Sequence, residues 1–137
     1  MHDLSQPAES GQPVLWNTPL ARNLGLPPVD RASDGTFRAE FDLGDRFIGN
    51  KSIFGGWLAC LVDHLGAVAT LDSISDRSAF STAEITVKFL RPVFPGRLCA
   101  RTAIQSANIR IVDLAVELRQ GDELCVTASV TQAITKG

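Results

Sequence analysis

Between residues 37 and 43, apolar Phe37, Ala39, Phe41 and Leu43 alternate with Arg38, Glu40 and Asp42, the two-residue period of a strand with one face buried. The period returns three times. Ala83, Ile85, Val87 and Phe89 alternate with Thr82, Glu84, Thr86 and Lys88; Val112, Leu114, Val116 and Leu118 with Asp113, Ala115 and Glu117; and Leu124, Val126, Ala128 and Val130 with Cys125, Thr127, Ser129 and Thr131. Leu98 to Gln105 predicts a further strand with weaker alternation. Pro92 and Pro95-Gly96 end the run that closes on Phe89, and Gln120-Gly121-Asp122 makes a turn. Successive strands joined by short turns predict an antiparallel sheet.

One segment follows a different rule. From Gly55 to about Leu71 the chain is apolar on nearly every side of a helix, with Asp63 and His64 set among Leu58, Leu61, Val62, Leu65 and Val68. A surface helix would carry a broad charged face. This one lacks it and has to be covered nearly all round. At about 17 residues it spans roughly 25 Å, the width of a small domain and too short for a membrane. Earlier in the chain, Asn17 is placed to cap a short helix through Leu20, Ala21 and Leu24, stopped by Gly25. Pro27-Pro28 enforces extended chain, Ser33-Asp34-Gly35 a turn, and 45–53 reads as a loop. Residues 1–13 are polar and expected to be flexible at their beginning.

A strongly twisted sheet curled around the helix satisfies both patterns, which predicts an α+β fold and a single domain over residues 1–137. The helix side and sheet edge left over call for a second copy, so the chain is expected to be an obligate homodimer or a higher oligomer.

Charge and composition narrow the function. The net charge is −2, from 13 basic and 15 acidic residues, which gives no footprint for nucleic acid and no pull towards anionic membranes. Cys60, Cys99 and Cys125 lie in apolar stretches without metal-ligand spacing, and two histidines add no ligand cluster, so no metal is expected. The beginning of the chain has no basic-then-apolar leader pattern, and a cytoplasmic protein is expected. No phosphate-binding glycine loop of the Gly-x-x-x-x-Gly-Lys type occurs.

The chemistry-bearing residues sit on the apolar helix. Gly55 and Gly56 stand where the loop enters it, so their amides lack intrahelical acceptors and carry the positive end of the helix dipole. Such an end can hold the oxyanion formed when a carbonyl is attacked, unless it is simply an uncapped helix start. Asp63 lies two turns in, where an unpartnered carboxylate costs several kcal/mol. Its neighbours one or two turns away, Ala59, Gly66, Ala67 and Thr70, are small enough to leave room for a ligand. Burial is expected to push its carboxyl up towards the range of a general base. The alternative is a carboxylate reaching solvent or hydrogen-bonded to Ser81 or Thr82. His64, one step round the helix, fits a packed or interface histidine.

Phe54-Gly55-Gly56 with Leu58, Leu61, Asp63 and Ala67 resembles the His-Gly-Gly…Asp signature of phenylacetate-degradation-type acyl-CoA thioesterases, members of the 4-hydroxybenzoyl-CoA thioesterase superfamily of hotdog folds. The stretch from Thr82 to Pro92, ending Phe89-Leu90-Arg91-Pro92, and then Gly96-Arg97-Leu98, are similar to that family's strand after the helix. The resemblance covers about residues 20–134. It implies a hotdog fold, an acyl- or aryl-acyl-CoA substrate, and no cofactor besides the coenzyme A that the substrate brings. It also implies a homodimer assembling to a tetramer, with the site between protomers. By this resemblance Asp63 directs water at the thioester carbon or attacks it, Gly55 supplies an oxyanion amide, and Thr82 orients the water. Asn50, Phe54, Gly56, Trp57, Ala67 and Ser81 are expected around the substrate, with Phe80 a further candidate for the acyl pocket; for Phe54, Trp57 and Phe80 a place in the core is equally open. Lys88, Arg91 and Arg97, near the end of one strand and the start of the next, are candidates to hold the CoA phosphates or, alternatively, charges that guard the strand ends, with Arg110 a weaker candidate. Two departures stand out: the family's histidine before Gly-Gly is Phe54, and its Asn or Gln six positions earlier is Ile48, with Asn50 nearby. They leave open a non-catalytic acyl-CoA or acyl-lipid binding protein. A hotdog hydratase or dehydratase would need a paired acid and histidine that the spacing does not offer.

Overall fold

The computed structural model describes residues 11–14, 16–74 and 79–135. The alternating runs become long strands: β3 (Phe37–Leu43), β4 (Ala79–Phe89), β5 (Gly96–Ala107), β6 (Ile111–Gln120) and β7 (Glu123–Thr135). Two short strands precede them, β1 (Gln12–Val14) and β2 (Val29–Arg31). Both are additions to the sequence expectation: three-residue strands are too short for alternation to show, and β1 lies partly in the stretch expected to be flexible. Residues 1–10 fall outside the described residues. All strands pair antiparallel in the order β1-β2-β3-β5-β6-β7-β4.

The short helix α1 (Pro19–Asn23) is capped by Thr18, whose hydroxyl accepts from the Ala21 amide at 3.1 Å, and not by Asn17. Pro19 at the first helical position fixes that register. Asn17 instead accepts from the Arg22 guanidinium. Gly25, at φ +63°, terminates the turn as expected.

The long helix α2 (Gly55–Ser73) runs one short step beyond the expected end. Leu58, Leu61, Val62, Leu65, Val68 and Ala69 pack on Leu98, Leu114, Val116, Leu118, Val126 and Val130 of the curled sheet. A Cβ on Gly66 would sit 3.1 Å from Val130 Cγ1, so glycine lets the helix lie close on β7. The curled-sheet hotdog architecture is therefore the one expected. One stripe of α2 stays less covered, Gly56, Cys60, Asp63, Ala67 and Leu71, spaced three or four apart on a single face. No helix among the described residues is long and apolar enough to cross a membrane.

Candidate active site

The open stripe of α2 floors a cavity of about 520 Å³. Cys60, Asp63, His64, Ala67 and Leu71 come from α2, and Ala79, Phe80, Ser81 and Thr82 from β4. The segment around α1 closes the opposite side with Trp16, Leu20, Ala21, Leu24 and Leu26, and Gln132 of β7 stands at the base. Most of this lining is hydrocarbon, so the polar groups gather where Asp63, Thr82 and Gln132 meet.

Thr82 Oγ1 donates to Asp63 Oδ1 at 2.7 Å. The strand reaches this contact by breaking its own rule. The alternation of Ala83, Ile85, Val87 and Phe89 would turn Thr82 to the outer face of the sheet. Between Thr82 and Glu84 the register slips by one: Glu84 pairs with Thr131, but Thr82 pairs with Gln132. Ala83 is the extra residue of a β-bulge, and the bulge re-aims Thr82 at the helix. The carboxylate has two oxygens, so anchoring Oδ1 leaves capacity to accept a proton from water.

His64 is buried, with Nε2 2.8 Å from the Pro27 carbonyl oxygen. Burial lowers its pKa below the ordinary 6.5, against smaller upward pulls from that carbonyl and from Asp63. It stands beside the carboxylate as a packed histidine. Among the described residues, no group of three His, Cys, Asp or Glu could hold a metal.

The other expected site residues divide. Ala67, Phe80 and Ser81 line the cavity; Asn50, Phe54, Gly55, Gly56 and Trp57 do not. Trp57 is a core residue: its ring stacks on Phe47 at 4.3 Å, and its indole N–H donates to the Leu24 carbonyl at 2.8 Å. Asn50 is exposed in the loop before α2. Phe54 is 61% exposed, and its ring covers Gly56, where a Cβ would come within 2.6 Å of Phe54 Cε2. The glycine there accommodates the chain's own phenylalanine. Gly55 begins α2 with no side-chain cap, so its amide has no intrahelical acceptor. It lies about 12 Å along the helix from Asp63, eight residues at 1.5 Å each. The expected cation cluster is dispersed. Arg91 pairs with Glu123, Arg97 lies between Glu40 and Asp42, and Lys88 stands among Thr86, Thr127 and Ser129 on the outer face. β4 and β5 are three strand positions apart, roughly 14 Å, because β6 and β7 lie between them. Arg110 lies in the turn between β5 and β6, where the Asn108 side chain accepts from the Arg110 and Ile111 amides.

Sequence reasoning missed Gln132 and the α1 wall. The first had a signal: carrying the inward parity of Val126, Ala128 and Val130 one step further puts a glutamine at a core position. The α1 wall had none, since nothing in a local pattern says which distant face it covers.

The thioesterase superfamily model matches residues 50–127, more than half of the chain. Solved structures of similar shape include a phenylacetic acid degradation-related protein of Ralstonia eutropha JMP134, at 24% identity and TM-score 0.76 over 86% of this chain and 92% of that one. PaaI from the Escherichia coli phenylacetic acid degradation operon is 21% identical, with TM-score 0.76 over 88% and 87%. A Bacillus halodurans protein solved with CoA is 17% identical, with TM-score 0.76 over 89% and 82%. No curated protein matches the sequence. At these identities the structural likenesses speak to the fold, and the family model speaks to the chemistry: the chain belongs to the thioesterase superfamily and is a thioester hydrolase.

Proposed function

We propose that the protein hydrolyses an acyl- or aryl-acyl-CoA, with Asp63 directing a water at the thioester carbon and Thr82 holding Asp63. The observation that carries this reading is the place of Asp63 in the wall of an apolar cavity, with one carboxylate oxygen held by Thr82 and the other left to accept a proton. Asp63 takes a proton from the water, the oxygen bonds to the carbonyl carbon, and the tetrahedral oxyanion collapses with loss of the CoA thiolate, which takes up the proton. The lining, free of cations, suits an uncharged acyl or aryl group. CoA as the carrier is supported by its presence in the Bacillus halodurans relative. Lys88 and Arg91 are the candidates for its phosphates; Arg97, flanked by two carboxylates, is the weaker one. The three cysteines are free thiols, which suits a cytoplasmic protein.

The oxyanion donor comes from a second copy in this reading. Gly55 and Asp63 of one chain are too far apart on one rigid helix to meet at a single carbonyl. β4 is the outermost strand of the sheet, 11 residues long, with a free edge. Phe89, Leu90 and Phe94 at and beyond its end are about half exposed, and Phe54 more so. Pairing two β4 edges about a two-fold axis between Ile85 and Thr86 sets Thr82 of one protomer opposite Phe89 of the other. Within one chain the Phe89 ring lies 3.5 Å from where a Gly55 Cβ would be. That pairing therefore carries Gly55 of the partner subunit towards Asp63. Such dimers then associate into a tetramer.

The test is a panel of CoA thioesters followed by free-thiol release, with Asp63→Asn as the comparison and the oligomeric mass measured in parallel. Release that vanishes in a folded Asp63→Asn protein supports the reading; full activity in that variant removes it. A second reading, an acyl-CoA binding protein without turnover, is favoured by one observation, the Phe54 ring over Gly56 where the family has a histidine. Tight CoA-ester binding without thiol release would select it.

A further inference from the structure

Gln132 is the most buried polar side chain of the cavity, with 0% exposure, on the face of β7 that Val126, Ala128 and Val130 turn inward. Its Oε1 lies 3.2 Å from Thr82 Oγ1, and its Nε2 is buried without a partner among the described residues. Thr82 has one hydroxyl proton and, 2.7 Å away, a carboxylate oxygen to receive it. With that proton committed to Asp63, a carbonyl oxygen from Gln132 would face the threonine oxygen lone pair to lone pair. The nitrogen and oxygen of a primary amide are interchangeable in shape, so the hydrogen-bonding partners decide which faces where. Turning the amide by 180° gives Thr82 a donor and its buried N–H a partner.

Building on the Asp63 reading above, we propose that Gln132 is a positioning residue: its amide N–H donates to Thr82 Oγ1 and thereby commits the threonine proton to Asp63. The relay runs from buried Gln132 to Thr82 to Asp63, each bond polarising the next. It favours the ionised carboxylate that abstracts the water proton. The titratable groups facing Asp63 in the cavity are Cys60 and His64, both on α2; the cavity residues of β4, β7 and the α1 segment contribute none. Gln132 carries no charge at any working pH, so its effect reaches Asp63 through the hydroxyl.

Gln132→Met keeps the volume and removes the donor. Expected are a roughly tenfold fall in kcat, as for one neutral hydrogen bond, an unchanged KM, and an acid limb of the pH–rate profile moved to higher pH. On a Thr82→Val background the same substitution is expected to do nothing further, because the residue through which it acts is gone. Losses that add across the two sites, or a Gln132→Met profile that superimposes on the wild type, overturn the proposal. Should Gln132→Met not fold, Gln132→Glu decides: protonated it still donates, ionised it opposes Asp63, so its loss must grow as pH rises. A constant loss overturns the proposal. An inactive Asp63→Asn with an indifferent Gln132 ends this proposal alone, whereas an active Asp63→Asn ends the hydrolytic reading beneath it.

Discussion

The first and third turns of α2 are built from opposite materials. The first offers backbone: glycine amides without intrahelical acceptors, rimmed by exposed Phe54 and Phe89, with no titratable side chain. The third offers side chains: Asp63 anchored by Thr82, with Gln132 behind and His64 alongside. One end can stabilise negative charge, and the other can take up a proton. Both are needed for hydrolysis of one ester, yet a straight helix keeps them about 12 Å apart. In the proposed dimer the difference makes a single chain the carrier of two half-sites, each completed by the opposite turn of the second copy.

The largest effect that can break this comparison is at the third turn. Asp63→Asn preserves shape and an oxygen for the Thr82 hydroxyl, and is expected to lower kcat by about 10²–10⁴ with the fold intact. At the first turn, Gly55→Pro removes one amide hydrogen and little else. Proline is tolerated at the first helical position, and Phe54 already has the extended backbone (φ −61°, ψ 127°) that a following proline requires. A loss of about 10² in kcat is expected, with Gly55→Ala, which keeps the hydrogen, close to wild type. Mixing the two defective proteins sharpens the test. In a mixed dimer the intact Asp63 of one chain meets the intact Gly55 of the other, so refolding together should restore roughly a quarter of wild-type activity. No recovery would mean that the half-sites do not meet across protomers. Thr82→Val ranks next, at about tenfold in kcat, since the carboxylate remains but loses its anchor.

How much of this was legible follows from the range of the signal. The helix declared itself by being apolar all round, and four strands by alternation, because those patterns are written in consecutive residues. Asp63 stood out as a carboxylate in that helix. Thr82 was named twice, as a hydrogen-bond partner for Asp63, which is the contact found, and from the family resemblance as the residue that orients the water. Its own alternation pointed it outward; the bulge at Ala83 reversed it, and a one-residue slip leaves no mark in composition. Trp57 was open to a pocket or a core place because aromatic side chains serve both; the Leu24 carbonyl and the Phe47 ring, distant in sequence, assign it to the core. The cations were adjacent along the chain but not in the sheet, since β6 and β7 insert between β4 and β5.

The smallest expected effect separates the two turns by stability. Burial holds the His64 pKa below its ordinary 6.5, so on acidification the unfolded chain takes up a proton that the folded chain refuses. Above about pH 6.5 both states are neutral and stability is flat with respect to this group. As pH falls through 6.5 the unfolded state gains, and the melting temperature drops until the folded histidine titrates as well. His64→Gln can still donate to the Pro27 carbonyl but cannot take up that proton, so its Tm should decline less over the same interval. Gly55→Pro, which changes only the end of α2 that has no titratable group, should keep the wild-type slope. A slope that persists in His64→Gln would show that the third turn is not where this proton is refused.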